Sequence, residues 1–344
     1  MRSHHRQMAA AITAGLAVAL TATACSTAAS TTGSSSTTSS SGGKLTIAAV
    51  GGLASDPFWI TMACGATQEA KALGVTLDWK STPTAADATA NQQNVNALLL
   101  SSPNGFIYSP SGADDNPNIQ KITSKGIPVV ELNGATTDTS YYQSYASSQG
   151  ASAVAQVGQL IAKNAGGTGT LAVMAGLLGN PILNERFVPA VTAVRTAAPH
   201  MTVLPAEADG FDTAKTAQEV SALLIAHPGI KAVLTTSGPE GAGAVEAVQA
   251  AHDQSKVLIY SYDATPPIVT ALKAGTVAAL IAQSPYLMGQ DGVKSLVAYL
   301  NTHKAGSAVT TASPQNVLTP VKILTAANVD AASSQPFLYK ASCG

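Results

Sequence analysis

The sequence predicts an α/β protein of two lobes, each built on a parallel sheet, joined by a hinge. Short apolar runs alternate with helical stretches from residue 44 onward, which is typical of strand-helix-strand units and therefore of parallel strands. The alternation occurs as two similar series, with separate connecting segments between and after them. A length of 344 residues also exceeds the size at which one hydrophobic core usually stops growing.

The first series begins with the apolar run 45–50, which has the continuous hydrophobicity of a buried parallel strand. Each later strand is a similar run bounded by turn residues, and each helix is a longer stretch between two strands. The predicted strands are 45–50, 75–79, 105–108 and 127–132, and the predicted helices are 59–73, 85–100 and 117–124.

The second series repeats this pattern of apolar runs and helical stretches. Its predicted strands are 169–175, 201–205, 231–235 and 256–260, and its predicted helices are 181–198, 212–226, 241–251 and 266–273.

Connecting segments separate and follow the two series. An extended piece at 141–147 and a helix at 151–165 lie between the series. A strand at 277–283, a helix at 287–300 and a last strand at 317–324 come after the second. Three separated connectors suit a chain that crosses between lobes, so we expect a three-segment hinge. The predicted parts are an N-terminal lobe of 44–146 and 284–316, a C-terminal lobe of 147–283 and 317–325, and a C-terminal tail of 326–344.

The N-terminus has the pattern of an export signal at residues 1–25. Basic residues precede an apolar stretch at 8–20 that is too short for a permanent membrane span. The small residues before Cys25 resemble the lipobox of bacterial lipoproteins, in which that cysteine carries lipid. Ordinary secretion after cleavage at a small residue is the alternative. Residues 26–43 are almost wholly Ser, Thr, Ala and Gly, so we expect a flexible tether that holds the protein at the extracytoplasmic face of the cell membrane.

Cys64 and Cys343 are left as a pair if Cys25 carries lipid. In an oxidising compartment we expect them to form a disulfide; two buried free thiols are the alternative. The bridge would close a loop of about 280 residues, for which the chain-entropy estimate is about 5 kcal/mol.

The charge of the chain excludes one class of partner. The net charge is −1 and only 11% of residues are charged, which leaves no basic surface for nucleic acid.

Polar and aromatic residues follow the predicted strands, where ligands bind in open α/β sheets. Asp56, Phe58 and Trp59 come after the first strand. Asp56 can also cap the next helix, and the two aromatics are equally compatible with the core of that helix. The other candidates near strand ends are Asn133, Arg186, Phe211, Ser237, Asp263 and Gln283.

Each candidate has a simpler structural interpretation when taken alone. Asp263 can cap a helix, Arg186 can be a solvated helix residue, and Asn133 with Gly134 can form a turn. As a set they favour a hydroxyl-rich ligand, because its recognition requires carboxylates, amides, a guanidinium and aromatic faces.

Several segments, in order along the chain, resemble the sugar-binding type 1 periplasmic binding proteins of bacterial ABC importers. They are SDPFW at 55–59, GIPVVELN at 126–133, AHPGIKAV at 226–233, YSYDATP at 260–266 and IAQSPY at 281–286. The resemblance runs from about residue 44 to residue 325 and implies two Rossmann-like lobes of the periplasmic binding protein type I fold. It also implies a monomer without cofactor or metal, which captures a sugar or sugar alcohol between its lobes and delivers it to an ABC permease.

The resemblance implies roles for individual residues. The family's first loop supplies a polar residue and two stacking aromatics, which correspond here to Asp56, Phe58 and Trp59. The family's second-lobe arginine, its aromatic, its carboxylate and its hinge glutamine correspond to Arg186, Phe211, Asp263 and Gln283.

The chain departs from the ribose-type members of that family at four positions. Asn133 and Gly134 stand where those members have Asp-Arg, and both Ser237 and Asp56 stand where they have asparagine. We therefore expect a pentose, hexose or sugar alcohol whose hydroxyl pattern differs from that of ribose.

Other functions have weaker support in the sequence. No spacing supports Asp56 and Asp263 as a glycosidase pair, and the histidines are too scattered for a metal site or a triad. An export signal occupies the place where a transcription regulator would carry its DNA-binding helices. A receptor that senses a sugar or quorum signal for a sensor kinase remains the alternative.

Overall fold

The computed structural model describes residues 44–85, 87–110, 113–134, 142–145, 150–179, 181–303 and 317–343. The predicted signal segment, Cys25 and the tether at 26–43 lie outside the described residues. In the part of the chain that is described, no helix is both long enough and apolar enough to cross a membrane.

The first sheet contains β1 to β5 in the spatial order β2-β1-β3-β4-β5, with every neighbouring pair parallel. Its strands are Thr46–Leu53, Thr76–Thr82, Gly105–Tyr108, Val129–Leu132 and Tyr142–Tyr145. The helices of this series are α1 (Pro57–Ala72), α2 (Ala88–Leu99) and α3 (Asn116–Thr123), and a short 3₁₀ turn at Ala113–Asp115 precedes α3.

The second sheet contains β6 to β11 in the order β11-β10-β9-β8-β6-β7, and only β11 runs antiparallel to its neighbour. Its strands are Thr168–Met174, His200–Glu207, Ile230–Thr235, Leu258–Tyr262, Val277–Ala282 and Lys322–Leu324. The remaining helices are α4 (Gly150–Asn164), α5 (Pro181–Ala197), α6 (Thr213–Ala226), α7 (Gly238–Ala250), α8 (Pro266–Ala274) and α9 (Pro285–Thr302). The predicted α/β class with parallel sheets is therefore confirmed.

Helix α9 returns to the first sheet, although it follows the second sheet in the sequence. It packs along α1, where Gly65 lies against the backbone of Tyr286 and Gly289 against the backbone of Met62. A Cβ atom at either glycine would overlap that backbone, so the two helices approach closely only because both residues lack a side chain. This packing fixes the start of α9, just after Gln283, relative to the loop that precedes α1.

The first strand is longer than predicted, because β1 continues through residues 51–53, beyond the predicted end of the strand at residue 50. Leu53 pairs with Thr82, and Ala54 N donates to Thr82 O at 2.9 Å. The rings of Trp79 and Trp59 lie directly against the two glycines of this segment, leaving no room for a Cβ atom at either. The glycines thus serve close packing within a strand, and the loop begins only at Ala54.

The C-terminal tail packs against both halves of the molecule. After a 3₁₀ segment at Ala332–Phe337, Tyr339 N donates to Ala264 O at 3.0 Å, beside β9. Lys340 N donates to Thr61 Oγ1 in α1 at 2.7 Å. The predicted disulfide between Cys64 and Cys343 is present, with the two Cα atoms 5.3 Å apart.

Candidate ligand-binding site

The loop after β1 presents a carboxylate followed by two aromatic rings. Asp56 is the N-cap of α1, and its Oδ1 accepts a hydrogen bond from Phe58 N at 3.0 Å. Phe58 is buried, and its ring meets Trp59 edge-on with centroids 4.9 Å apart. Trp59 is half-buried. Phe58 is therefore a core residue, as the simpler interpretation held, while Trp59 keeps part of its surface exposed next to Asp56.

Buried polar atoms also follow β3 and β4, the next strands of the first sheet. Ser109 Oγ and Asn133 Oδ1 are both buried without a hydrogen-bond partner among the described residues. Asn133 has a φ of 57°, a left-handed conformation that asparagine tolerates. A Cβ atom at Gly134 would lie 3.2 Å from Ile182 Cδ1 in α5, which shows that this loop contacts a helix of the second sheet.

Arg186 lies in α5 and is buried, with only 8% of its surface exposed. Its Nη1 donates to Thr236 O at 2.9 Å, and its guanidinium carbon lies 4.9 Å from the centroid of the Tyr262 ring. The interpretation of Arg186 as a solvated helix residue is therefore wrong. A guanidinium has five N–H donors, and Thr236 O is its only hydrogen-bond acceptor within the described part of the chain.

Asp263 follows β9 and is held by donors from three separate segments. Its Oδ2 accepts from Gly238 N at 3.0 Å, and its Oδ1 accepts from Gln283 Nε2 at 3.0 Å and from Tyr339 OH at 2.8 Å. Asp263 is not the cap of the following helix, because Thr265 occupies that position. Its φ of 69° is a left-handed backbone conformation that is uncommon for residues other than glycine, and it occurs directly after the last residue of β9.

Gln283 and Ser237 bring further polar atoms to the same network. Gln283 is fully buried, and its Oε1 has no hydrogen-bond partner among the described residues. Ser237 is the N-cap of α7, but its hydroxyl makes no capping bond and is likewise buried without a described partner. Buried polar atoms without partners are rare in native proteins, so a cluster of them marks a place where a polar ligand is expected.

Phe211 lies in the loop after β7 with a φ of 64°. Its amide donates to Asp209 Oδ1 at 2.9 Å, and its ring packs directly over Gly176, where a Cβ atom would overlap it. The ring is half-buried. Phe211 therefore projects an aromatic face at the carboxyl end of the second sheet, as a partner for the C–H face of a sugar requires.

Two buried carboxyl groups, those of Glu240 and Asp209, hold the backbone that positions Arg186 and Phe211. Glu240 Oε2 accepts from Thr236 N at 2.6 Å and from Thr236 Oγ1 at 2.9 Å, which fixes the carbonyl that holds Arg186. Burial and the neighbouring Asp209 carboxylate raise the pKa of Glu240 well above its usual range. Asp209 in turn holds the Phe211 amide and accepts from Thr216 Oγ1 at 2.7 Å.

Charged groups of the two sheets lie within electrostatic reach of each other at this site. Burial and, to a smaller extent, the negative charge of Asp263 raise the pKa of Asp56, while the hydrogen bond from Phe58 N and the Arg186 guanidinium lower it, and the net pKa is about 7. Asp56 precedes α1 beside the first sheet, whereas Asp263 and Arg186 belong to the second. The structure therefore brings these three predicted residues together.

Asp56→Asn is expected to change how stability depends on pH. Asp56 titrates near pH 4 in the unfolded chain and at about 7 in the folded one, so ionising it costs the wild type stability as pH rises between those values. Asparagine is an equally good helix cap but does not ionise. The free energy of unfolding of Asp56→Asn relative to wild type should therefore rise by about 1–3 kcal/mol between pH 4 and pH 8, measured by urea unfolding.

Asp87→Asn is the matched control for that experiment. Asp87 caps α2, and the hydrogen bond from Ala90 N, followed by that from Thr84, lowers its pKa. The stability that this carboxylate contributes is present above about pH 4 and is lost as pH falls below that value, so the free energy of unfolding of Asp87→Asn relative to wild type should stay nearly constant between pH 4 and pH 8. A difference between Asp56→Asn and wild type that stays constant across this pH range would contradict the described environment of Asp56.

The family model for the periplasmic binding protein domain matches residues 47–305. The chain belongs to this periplasmic binding protein family. The ribose import binding protein RbsB of Escherichia coli K12 is 31% identical to it over 256 residues, covering 73% of this chain and 83% of that protein. The D-allose-binding periplasmic protein of the same organism is 26% identical over 263 residues, covering 74% of this chain and 83% of that protein.

Solved structures show the same fold. An ABC transporter solute-binding protein from Agrobacterium vitis, bound with alpha-D-tagatopyranose, matches with a TM-score of 0.78 at 23% identity and covers 86% of this chain and all 100% of its own. GanP, a glucose-galactose binding protein from Geobacillus stearothermophilus, matches with a TM-score of 0.73 at 22% identity and covers 84% of this chain and 100% of its own. The predicted periplasmic binding protein type I fold is confirmed.

Sequence reasoning missed several side chains of this periplasmic binding protein site, and two of them, Ser109 and Tyr339, show why. Ser109 follows β3 directly, so the rule that selected Asn133 after β4 would also have found it. Tyr339 had no such signal, because it lies in the tail beyond the last strand. The nearby Cys343 was the available indication, since its disulfide to Cys64 brings the tail to α1.

Proposed function

We propose that this protein is an extracytoplasmic solute-binding protein that captures a sugar or sugar alcohol between its two lobes. The observation that carries the proposal is the cluster of polar groups at the carboxyl ends of both sheets, in which Asp56 of one side lies within electrostatic reach of Arg186 and Asp263 of the other and several polar atoms are buried. Several of these groups keep hydrogen-bonding capacity that no described residue uses. A ligand that carries hydroxyl groups on all sides would satisfy them.

The chemistry of the site fits a polyhydroxylated ligand. Carboxylates and amide oxygens accept from sugar hydroxyls, whereas the Arg186 guanidinium donates to hydroxyl or ring oxygens. The half-buried rings of Trp59 and Phe211 offer faces for the C–H surface of the sugar. The related proteins named for ribose and for D-allose support the same ligand class.

The proposed mechanism is closure of the lobes around the ligand. A sugar that contacts residues of both sheets favours the state in which those residues are close together, and this differential affinity shifts the equilibrium toward closure. The closed form is then what an ABC permease recognises. Membership of this family supports binding and transport in place of catalysis, and the charged groups of the site are accounted for as hydrogen-bonding partners.

A thermal-shift screen of wild-type protein tests this function. The panel contains D-ribose, D-allose, D-tagatose, D-galactose, D-fucose and D-arabinose together with sugar alcohols, and L-amino acids and nucleosides serve as control ligands. A ligand at one hundred times its dissociation constant stabilises the folded state by about 2.7 kcal/mol, which is readily detected. A shift confined to sugars or sugar alcohols is expected. Shifts with amino acids or nucleosides alone would contradict the proposed ligand class.

We also propose that Cys25 carries lipid that anchors the protein to the extracytoplasmic face of the membrane, which agrees with the export signal and the tether. Recovery of the mature protein from cells in the detergent phase after Triton X-114 partition, and of Cys25→Ala in the aqueous phase, is the expected result. Wild-type protein in the aqueous phase would contradict the anchor.

A further inference from the structure

The C-terminal tail reaches the candidate site through Tyr339. This side chain is buried, with 5% of its surface exposed, and its hydroxyl donates to Asp263 Oδ1 at 2.8 Å. Its ring meets Phe58 edge-on with centroids 5.7 Å apart. Tyr339 therefore touches a residue beside the first sheet and a residue of the second at the same time.

Several contacts hold the tail in this place. Tyr339 N donates to Ala264 O at 3.0 Å, next to Asp263, and Lys340 N donates to Thr61 Oγ1 in α1 at 2.7 Å. The Lys340 Nζ atom also lies 4.6 Å from the centroid of the Tyr286 ring. The Cys64–Cys343 disulfide then ties the end of the tail covalently to α1. The tail thus forms a strap from the second sheet to the first helix, with Tyr339 at its centre.

The hydroxyl of Tyr339 decides which oxygen of Asp263 remains available. A carboxylate oxygen has two lone-pair sites, and Oδ1 uses both, one for Gln283 Nε2 and one for Tyr339 OH. Oδ2 accepts only from Gly238 N among the described residues, so it keeps one site for a ligand hydroxyl. Without the tyrosine hydroxyl, both oxygens would have a free site and the carboxylate would lose one of the donors that orient it.

We propose that Tyr339 is a positioning residue that sets the orientation of Asp263 and thereby the sugar selectivity, and that the Cys64–Cys343 disulfide keeps it in place. This inference rests on the proposed sugar-binding function. It gives the tail a role in recognition, so that ligand affinity depends on the disulfide between α1 and the end of the tail. Cys343 is exposed, so a reductant in solution has access to the bridge.

Tyr339→Phe is the direct test, because it removes the hydroxyl and keeps the ring that packs on Phe58. Dissociation constants are measured by calorimetry for each sugar of the panel that binds wild type. We expect the tightest sugar to bind about tenfold more weakly, as expected for a lost hydrogen bond to a charged group, and the weaker sugars to change less than about threefold. Tyr299→Phe, at an α9 tyrosine that stacks on His303, is the matched control and should leave every dissociation constant unchanged.

Reduction of the disulfide is the second measurement on the same panel. Dithiothreitol should reduce the differences among the dissociation constants of wild type for the sugars of the panel, as Tyr339→Phe does. It should change the dissociation constants of Tyr339→Phe itself very little. An equal loss of affinity for all sugars in Tyr339→Phe would mean that the tail acts only on stability or closure, and would overturn the positioning role. Unchanged affinities in Tyr339→Phe would overturn it as well, while unchanged affinities after reduction would overturn the role of the bridge. Failure of wild type to bind any sugar would instead contradict the proposed function, so the two failures are distinguishable.

Discussion

Arg186→Met is expected to weaken sugar binding by about 100-fold or more, because each hydrogen bond to a charged group contributes about 1.5–3 kcal/mol and a buried guanidinium can donate several. Methionine has a similar length and fills the buried space in α5, but it can donate nothing to the ligand. The substitution also removes the positive charge that partly offsets the repulsion between Asp56 and Asp263. Binding energy and local electrostatic balance are therefore lost together.

Calorimetric titration with the tightest sugar of the panel measures the effect of Arg186→Met. The matched control is Arg195→Met, at an exposed arginine in the last turn of the same helix. The control should bind within about twofold of wild type, because exposed charges far from a ligand contribute little. A loss of less than about threefold in Arg186→Met would show that the guanidinium does not contact the ligand.

Removal of the Cys64–Cys343 disulfide is expected to give the largest change in stability. The bridge joins residues 279 positions apart, and in the chain-entropy model a loop of this length corresponds to an upper limit of about 5 kcal/mol. The double variant Cys64→Ala with Cys343→Ala should therefore unfold at a clearly lower urea concentration than wild type. Alanine is chosen because Cys64 is buried in α1 and a larger or more polar residue would add its own free-energy cost.

Reduction separates the effect of the bridge from that of the two substitutions. Dithiothreitol should lower the urea midpoint of wild type and leave that of the double variant where it was. A wild-type midpoint that does not respond to the reductant, at a concentration shown by thiol titration to open the bridge, would contradict a stabilising role for this disulfide.

Much of the fold could be predicted from the sequence because parallel strands are buried on both faces. The runs that become β1, β3 and β10 are almost continuously apolar, and helices such as α1 have ordinary caps, here Asp56. The end of β1 could not be predicted, because glycines such as Gly51 and Gly52 usually indicate a loop and are here required by the packing of the Trp79 and Trp59 rings. The contacts between these rings and the glycines can be seen only in the folded structure.

In the candidate site too, local sequence position predicted some residues, whereas contacts between distant parts of the chain could not be predicted. Strand-end position identified Asp263 and Gln283, and the structure joins them by a hydrogen bond. Position alone suggested that Arg186 could be solvated, because the tyrosine ring and the carbonyl that enclose it come from β9 and from the loop after β8. The role of Tyr339 could not be predicted for a similar reason, since no local sequence pattern indicates that the tail returns to the site.

The most direct test of this account is a crystal structure of the protein with the tightest sugar of the panel. We expect the sugar between the two sheets, with hydroxyl groups hydrogen-bonded to Asp263 Oδ2 and Arg186 and with a ring face against Trp59 or Phe211. A sugar bound at any other surface, with these side chains contacting only protein or solvent, would contradict the assignment of the site.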